Sequence, residues 1–396
     1  MTDQHQPVRR WFEGVWPTVG LVAPLGLLVA LVSLGTPSLQ TTAVGALVNL
    51  VMVVGLQMFW GNSGVLSFGH IAFVAVGAYT AALLTIPLTT RAFVLPHLPG
   101  MLAHRQTSFV VATVVAALVA AAVAGLVSLP LMRLSGTAAG IASFAVLIIV
   151  QDVASNWSDV TGGLGTLTGV PTDLTLWGAY AWTVVVIAAA GAYSYSRSGR
   201  RLQASREDEV AALALGVKVV RERRVAFVVS GAVMGVAGSM YAHWLGAFGP
   251  GDFDIDLTRL ITVMLIVGGL RSVFGAVVGS VVMSVVVVVL NRWEAGQSVG
   301  FVSIPVPTGF SNLLLSLVLV LILLRRPDGI SRSRELSWPG WNLRRSRTVK
   351  NAARDSSGDR QDAAPPDSVG CHGETDTGFA FGEGSATAES TAIRPT

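Results

Sequence analysis

Residues 108–131 read SFVVATVVAALVAAAVAGLVSLPL, a stretch with no charged side chain and only hydroxyls for polar atoms. About 20 apolar residues in a helix cross the hydrocarbon of a bilayer, and only a helix or a closed barrel satisfies the backbone there. This segment is therefore read as a membrane-spanning helix. Runs of the same kind recur on both sides of it, at 20–35, 43–60, 65–84, 138–151, 177–195, 225–245, 257–270, 274–290 and 310–324. The expected fold is all-α, a polytopic transmembrane helical bundle of about ten spans. The runs at 138–151 and 257–270 are the shortest, and each reads either as a full crossing or as a broken, re-entrant segment.

Composition agrees. Hydrophobic residues make up 52% of the 396 and charged ones 13%, against roughly 25% charged in a soluble domain. Only two lysines occur, Lys218 and Lys350, and the net charge of +4 comes from arginines in a few short segments. Arginine beside apolar spans reports orientation in a membrane rather than a nucleic-acid partner. With the N-terminus inside, one side collects Arg9, Arg10, Arg133, the cluster from Arg197 to Arg224, Arg271, Arg325 and Arg326. The other side holds Arg91, Arg105 and Arg292, and its 152–176 segment has three aspartates and no base. Ten crossings with both termini cytoplasmic satisfy the positive-inside rule at nearly every loop. The domains read as a cytoplasmic N-terminus at 1–19, a transmembrane domain at 20–330 and a disordered cytoplasmic tail at 331–396, poor in apolar residues. The first apolar run lacks a convincing small-residue cleavage site and reads as a retained helix.

The longest inner loop, 197–224, carries the most information. Ser205 followed by Asp208 has the form of a capping box, and Glu207, Asp208 and Glu209 suit the positive end of a helix. Val210, Leu213 and Ala214 share a face, Ala211, Ala212 and Ala214 make it small, and Gly216 suits a left-handed stop. An acidic, alanine-rich helix of this kind either lies on lipid headgroups or docks on a protein. Lipid-surface helices carry basic and aromatic residues instead, which favours the protein.

Polar residues also interrupt 61–70, where Gly61, Gly64 and Gly69 stand with Asn62, Ser63, Ser67 and His70. Two readings fit: a broken helix on a translocation path, with Asn62, Ser67 and His70 as hydrogen-bonding groups, or a tight cytoplasmic turn. The outer loop at 161–171 reads as a surface for an extracytoplasmic protein or as a flexible connector. Gly136 with Gly140, Gly231 with Gly235 and Gly275 with Gly279 have the four-residue spacing of close helix packing. The lone polar residues His243, Gln151 and Asn49 are read as structural.

Chemistry is restricted by what is missing. Neither lysine follows a glycine, so a phosphate-binding loop is excluded. One cysteine, Cys371, forms no internal disulfide, and no metal-ligand spacing occurs. Neither a catalytic residue, a metal nor a cofactor is expected. A secondary transporter would place acids within spans, yet Asp252, Asp254 and Asp256 precede theirs.

Residues 206–216, REDEVAALALG, resemble the EAA coupling loop of ABC-importer permeases. The following helix, AFVVSGAVMGVAGSMYA at 226–242, is similar to that of branched-chain amino acid permeases of the LivM type. So are GNSGVLSFGHIAF at 61–73 with Gly77-Ala78-Tyr79, Thr161-Gly162-Gly163 with Gly165 and Pro171, GGLRSVFG from Gly268 to Gly275 (residues GGLRSVFG), and RPDGI at 326–330. The likeness covers roughly 40–330. Arg223-Arg224 departs from the Lys-Leu pair more usual in the family, and the tail has no counterpart. The resemblance implies a cell-membrane permease subunit of an ABC importer for leucine, isoleucine and valine, or for urea or short amides. It implies a second, LivH-type permease, two ATP-binding subunits and an extracytoplasmic binding protein as partners, beside membrane lipid. It assigns coupling to the ATPase to Arg206, Glu207, Glu209, Ala211, Ala212 and Gly216.

Overall fold

The structure, a computed structural model, describes residues 6–94, 106–294 and the single positions 313, 314 and 317. The chain runs α1 (Gln6–Ser33), α2 (Pro37–Ser63), α3 (His70–Thr85), α4 (Leu88–Val94), α5 (Phe109–Leu131), α6 (Gly136–Asn156), α7 (Leu176–Tyr195), α8 (Arg197–Glu207), α9 (Glu209–Ala214), α10 (Val219–Leu245), α11 (Ile255–Gly268) and α12 (Val273–Glu294). Six of these, α2, α5, α6, α7, α10 and α12, are long and apolar enough to cross a membrane, and Gly20–Ser33 and α3 are shorter apolar helices. The fold is an all-α helical membrane bundle. The run expected at 310–324 and the tail at 331–396 lie outside the described residues, apart from the three single positions.

Helix lengths refine the sequence reading. The apolar run at 138–151 is the middle of α6, whose 21 residues give about 31 Å, enough to cross. The run at 257–270 is α11, whose 14 residues give only about 21 Å. The run at 65–84 becomes helical only at His70. α1 begins at Gln6, within the segment expected as the N-terminal arm.

Helices α2 and α10 form the centre, with 78% of their apolar windows buried, against 28% for α5 and α6 on the outside. α10 packs on α5, α3 and α2. Its glycines permit this approach. A β-carbon on Gly235 would meet the Ala116 carbonyl, and one on Gly238 would meet the carbonyl of Val74. Gly279 likewise lies against the backbone of Gly268, joining α11 to α12. Gly136 is the exception to the expected packing pairs, since its β-position faces open space while Gly140 rests on Leu66.

Hydroxyls lock the same crossings. Thr113 and Ser239 bond at 2.8 Å between α5 and α10, and Ser230 donates to the Gly55 carbonyl of α2 at 2.7 Å. At the other end of the bundle, Leu167–Thr168 pairs antiparallel with Ala247–Phe248, and Thr161 donates to the Ala154 carbonyl at 2.6 Å. The 161–171 segment is thus tied to α6 and α10 rather than a free connector.

Candidate functional site

Two short helices follow α7. The Ser196 hydroxyl accepts from the Gly199 amide at 3.0 Å and starts α8. Asp208, in extended conformation (φ −149°), interrupts the helix, and its carboxylate accepts from the Ala211 amide at 2.9 Å to start α9. The capping box expected at Ser205 does not form. Ser205 lies inside α8 and donates to the Leu202 carbonyl at 2.8 Å, because Ser196 already caps the start of the same helix. Gly216 has φ +79°, the left-handed stop expected of it.

Exposure sorts the residues expected at this site. Ala212 is 4% exposed and packs α9 onto its own chain. Val210, Leu213 and Leu215 stand out at 78%, 55% and 85%, with Ala211, Ala214 and Gly216 exposed beside them. The sequence paired Val210 with Leu213 on one face and did not single out Leu215.

Polar links from three directions, α10, the end of α2 and the turn between α11 and α12, hold the two helices. Glu222, buried in the first turn of α10, accepts from the Ser198 hydroxyl and lies 3.5 Å from Arg201. Arg223 of α10, with 8% of its side chain exposed, pairs with Glu209 at 2.9 Å. Arg206 donates to the Gly61 carbonyl of α2, and Gln203 donates to the Asn62 side chain at 2.7 Å. Glu207 bridges Arg206 at 2.8 Å and Arg271 at 3.6 Å, bringing in the turn between α11 and α12. Of these, Gln203 and Glu222 escaped the sequence reading. Gln203 gave no signal, whereas Glu222 was visible as a lone acid among Arg221, Arg223 and Arg224.

The Arg206 hydrogen bond, then the charges of Arg206 and Arg271, hold the Glu207 carboxyl below the usual range. A lowered carboxylate pKa adds stability above the ordinary glutamate value and loses it as pH falls through the shifted one. The link from Glu207 to Arg271 is expected to persist at pH 5 to 7 and to open only once pH has fallen below the ordinary glutamate value, about 4.3. Hydrogen exchange of residues 205–216 across that range reads it, and opening already at pH 5 would contradict the assignment.

The remaining expected residues lie just inside this junction. Asn62, Ser67 and His70 are each 2% exposed. Asn62 donates to the Met58 carbonyl at 2.8 Å while accepting from Gln203. Ser67 bonds His70 Nδ1 at 2.8 Å. The imidazole sits among Phe59, Phe73 and Phe227 at centroid distances of 5.3, 5.9 and 5.1 Å. In the non-helical stretch 64–69, the Phe68 amide donates to the Ser143 hydroxyl at 3.0 Å, the Val65 amide to Ser63 at 3.1 Å and the Gly64 amide to the Trp60 carbonyl at 2.9 Å. All three side chains thus face the chain's own interior. Among the described residues, no group of three His, Cys, Asp or Glu is placed to hold a metal.

Apolar helices thus enclose a buried core, and the short, exposed helix α9 lies beside one end of α10. The chain belongs to the branched-chain amino acid transport system permease component family, whose model matches residues 38–323. It is a multi-pass protein of the cell membrane. It is 26% identical over 348 residues to the high-affinity branched-chain amino acid transport system permease protein LivM of Escherichia coli (strain K12), covering 78% of this chain and 74% of that one. It is 22% identical over 302 residues to the corresponding LivH protein of Salmonella typhimurium, covering 70% and 89%. No solved structure matches.

Proposed function

We propose that the chain is the LivM-like permease of an ABC importer, paired with a LivH-like permease, two ATP-binding subunits and an extracytoplasmic binding protein. Its substrates are leucine, isoleucine and valine. The observation that carries this reading is the solvent-facing apolar set of Val210 and Leu213 on α9 and Leu215 just past its end, beside links that lead into the bundle core. Arg206, Glu207, Glu209, Ala211, Ala212 and Gly216 form the coupling element, Ala212 from its inner side. Asn62, Ser67 and His70 serve the translocation path by fixing the shape of the α2–α3 connection. Ten crossings with both termini inside agree with the arginine distribution.

The test is reconstitution. Uptake should require the ATP-binding subunits and ATP hydrolysis, and the cognate binding protein should bind leucine, isoleucine or valine. Uptake by the chain alone in proteoliposomes under an ion gradient would overturn the proposal. Binding of urea or short amides by the cognate protein would redirect the substrate.

Two substitutions probe the coupling element. Glu209→Lys sets two cations face to face and leaves Arg223 without its partner, costing about 1–2 kcal/mol after discounting for the exposed carboxylate. Gly216→Val meets no neighbour but forces a β-branched residue to positive φ, also about 1–2 kcal/mol. Both variants are expected in the membrane, with ATP hydrolysis uncoupled from uptake. Unchanged assembly and uptake in both would remove the coupling role from this segment.

A further inference from the structure

Gln203 points inward to a helix end, and Arg206 reaches the same end with one guanidinium nitrogen while its other nitrogens meet the exposed Glu207. The last carbonyls of a helix lack partners within it, and the C-terminus carries partial negative charge. α2 ends at Ser63, and the Gly64 amide already occupies the Trp60 carbonyl at 2.9 Å. The next carbonyl, that of Gly61, is taken by the Arg206 guanidinium, a cation at the favourable pole. The stem of Arg206 lies over Gly64, where a β-carbon would meet Arg206 Cγ at 2.7 Å. Gly64 also has φ +70°, so two constraints meet at this one residue. The neighbouring side chain, Asn62, closes a second link with Gln203, which also donates to the Ser194 carbonyl at 3.3 Å. α2 continues from this point into the most buried part of the bundle.

We propose that Arg206 and Gln203 form a clasp joining α8 to the C-terminal end of α2, so that both move as one body when α9 is displaced. Arg206, Gln203 and Asn62 are positioning residues for transport. The inference rests on the reading of α9 as the coupling element and adds where its displacement goes.

The chain's single cysteine, Cys371, makes a cross-linking test clean. In a Cys371→Ser background, Asn62→Cys and Gln203→Cys are joined by a short, reductively cleavable bis-thiol reagent in the complete reconstituted transporter. If α8 and the end of α2 travel together, the cross-linked complex retains most of the ATP-driven uptake of its uncross-linked form. An uptake lost on cross-linking and regained on reduction shows sliding between them and overturns the clasp. As a second arm, Arg206→Ala should raise the ATP consumed per substrate about tenfold in assembled complexes, the worth of one hydrogen bond to a charged group. Arg206→Lys, which keeps the stem and one donor, should restore much of it. An unchanged ratio in Arg206→Ala overturns the proposal. Absence of ATP-dependent uptake in the Cys371→Ser parent, with every subunit bound, would instead defeat the permease reading itself.

Discussion

Leu213→Asp is expected to abolish uptake while leaving the subunit folded in the membrane. Leu213 is 55% exposed and lies on α9 with Val210, Leu215 standing just past the helix end, so the aspartate enters no buried position. At a docking face it removes an apolar anchor and introduces a charge without a counterpart. Anchors of this kind are worth roughly 2–4 kcal/mol, a factor of about 30 to 700 in affinity. The measurement is retention of the ATP-binding subunits on the purified permease, with uptake in the same preparation. Full retention and normal uptake would show that α9 is not the docking surface.

The second large effect concerns folding. Gly238→Leu is expected to leave little protein in the membrane, because its β-carbon would fall on the Val74 carbonyl and 2.7 Å from the Ala78 amide. Both are backbone atoms of α3, so no rotamer change relieves the contact. Overpacking typically costs 1–3 kcal/mol, and about 3 or more is expected where only backbone can yield. Helix separation would also strain the Thr113–Ser239 bond one residue along α10. Gly251→Leu, with open space around it, is the control. Membrane yield and thermal stability in detergent report the difference, and equal behaviour of the two variants would contradict the packing described for α3 and α10.

The bundle was legible in the sequence because apolar length is its main determinant. The runs at 108–131 and 225–245 need no tertiary information to be recognised. The paired glycines announced close packing by their spacing: Gly231, Gly235 and Gly279 leave no room for a β-carbon, the Gly275 carbonyl lies against Gly268, Gly140 makes ordinary contact with Leu66, and Gly136 faces open space. Helix ends were less legible. Ser205 and Ser196 are both sound caps by residue type, and the choice between them depends on α8 packing through Leu202 and on Glu222 holding Ser198. At the candidate site, the exposed acids were readable as a surface helix, but the inward direction of Arg206 was not. Its acceptor is a main-chain carbonyl 145 residues away in sequence, and a carbonyl leaves no trace in residue identity. Asn62 and His70 drew attention as polar groups in an apolar stretch, while their partners could be named only with the helices in place.

Between α8 and α9 the chain straightens at a single residue, Asp208. This one-residue elbow divides the labour of the loop. Residues 209–216 present what a motor subunit would recognise, and residues 197–207 are bolted to the bundle. On the proposed reading, recognition and transmission fall on two parts that share one tie, Glu209 on Arg223, so a permease of this build that keeps Glu209 and a small residue at 212 can change the motor it accepts by exchanging the exposed positions of the outer piece.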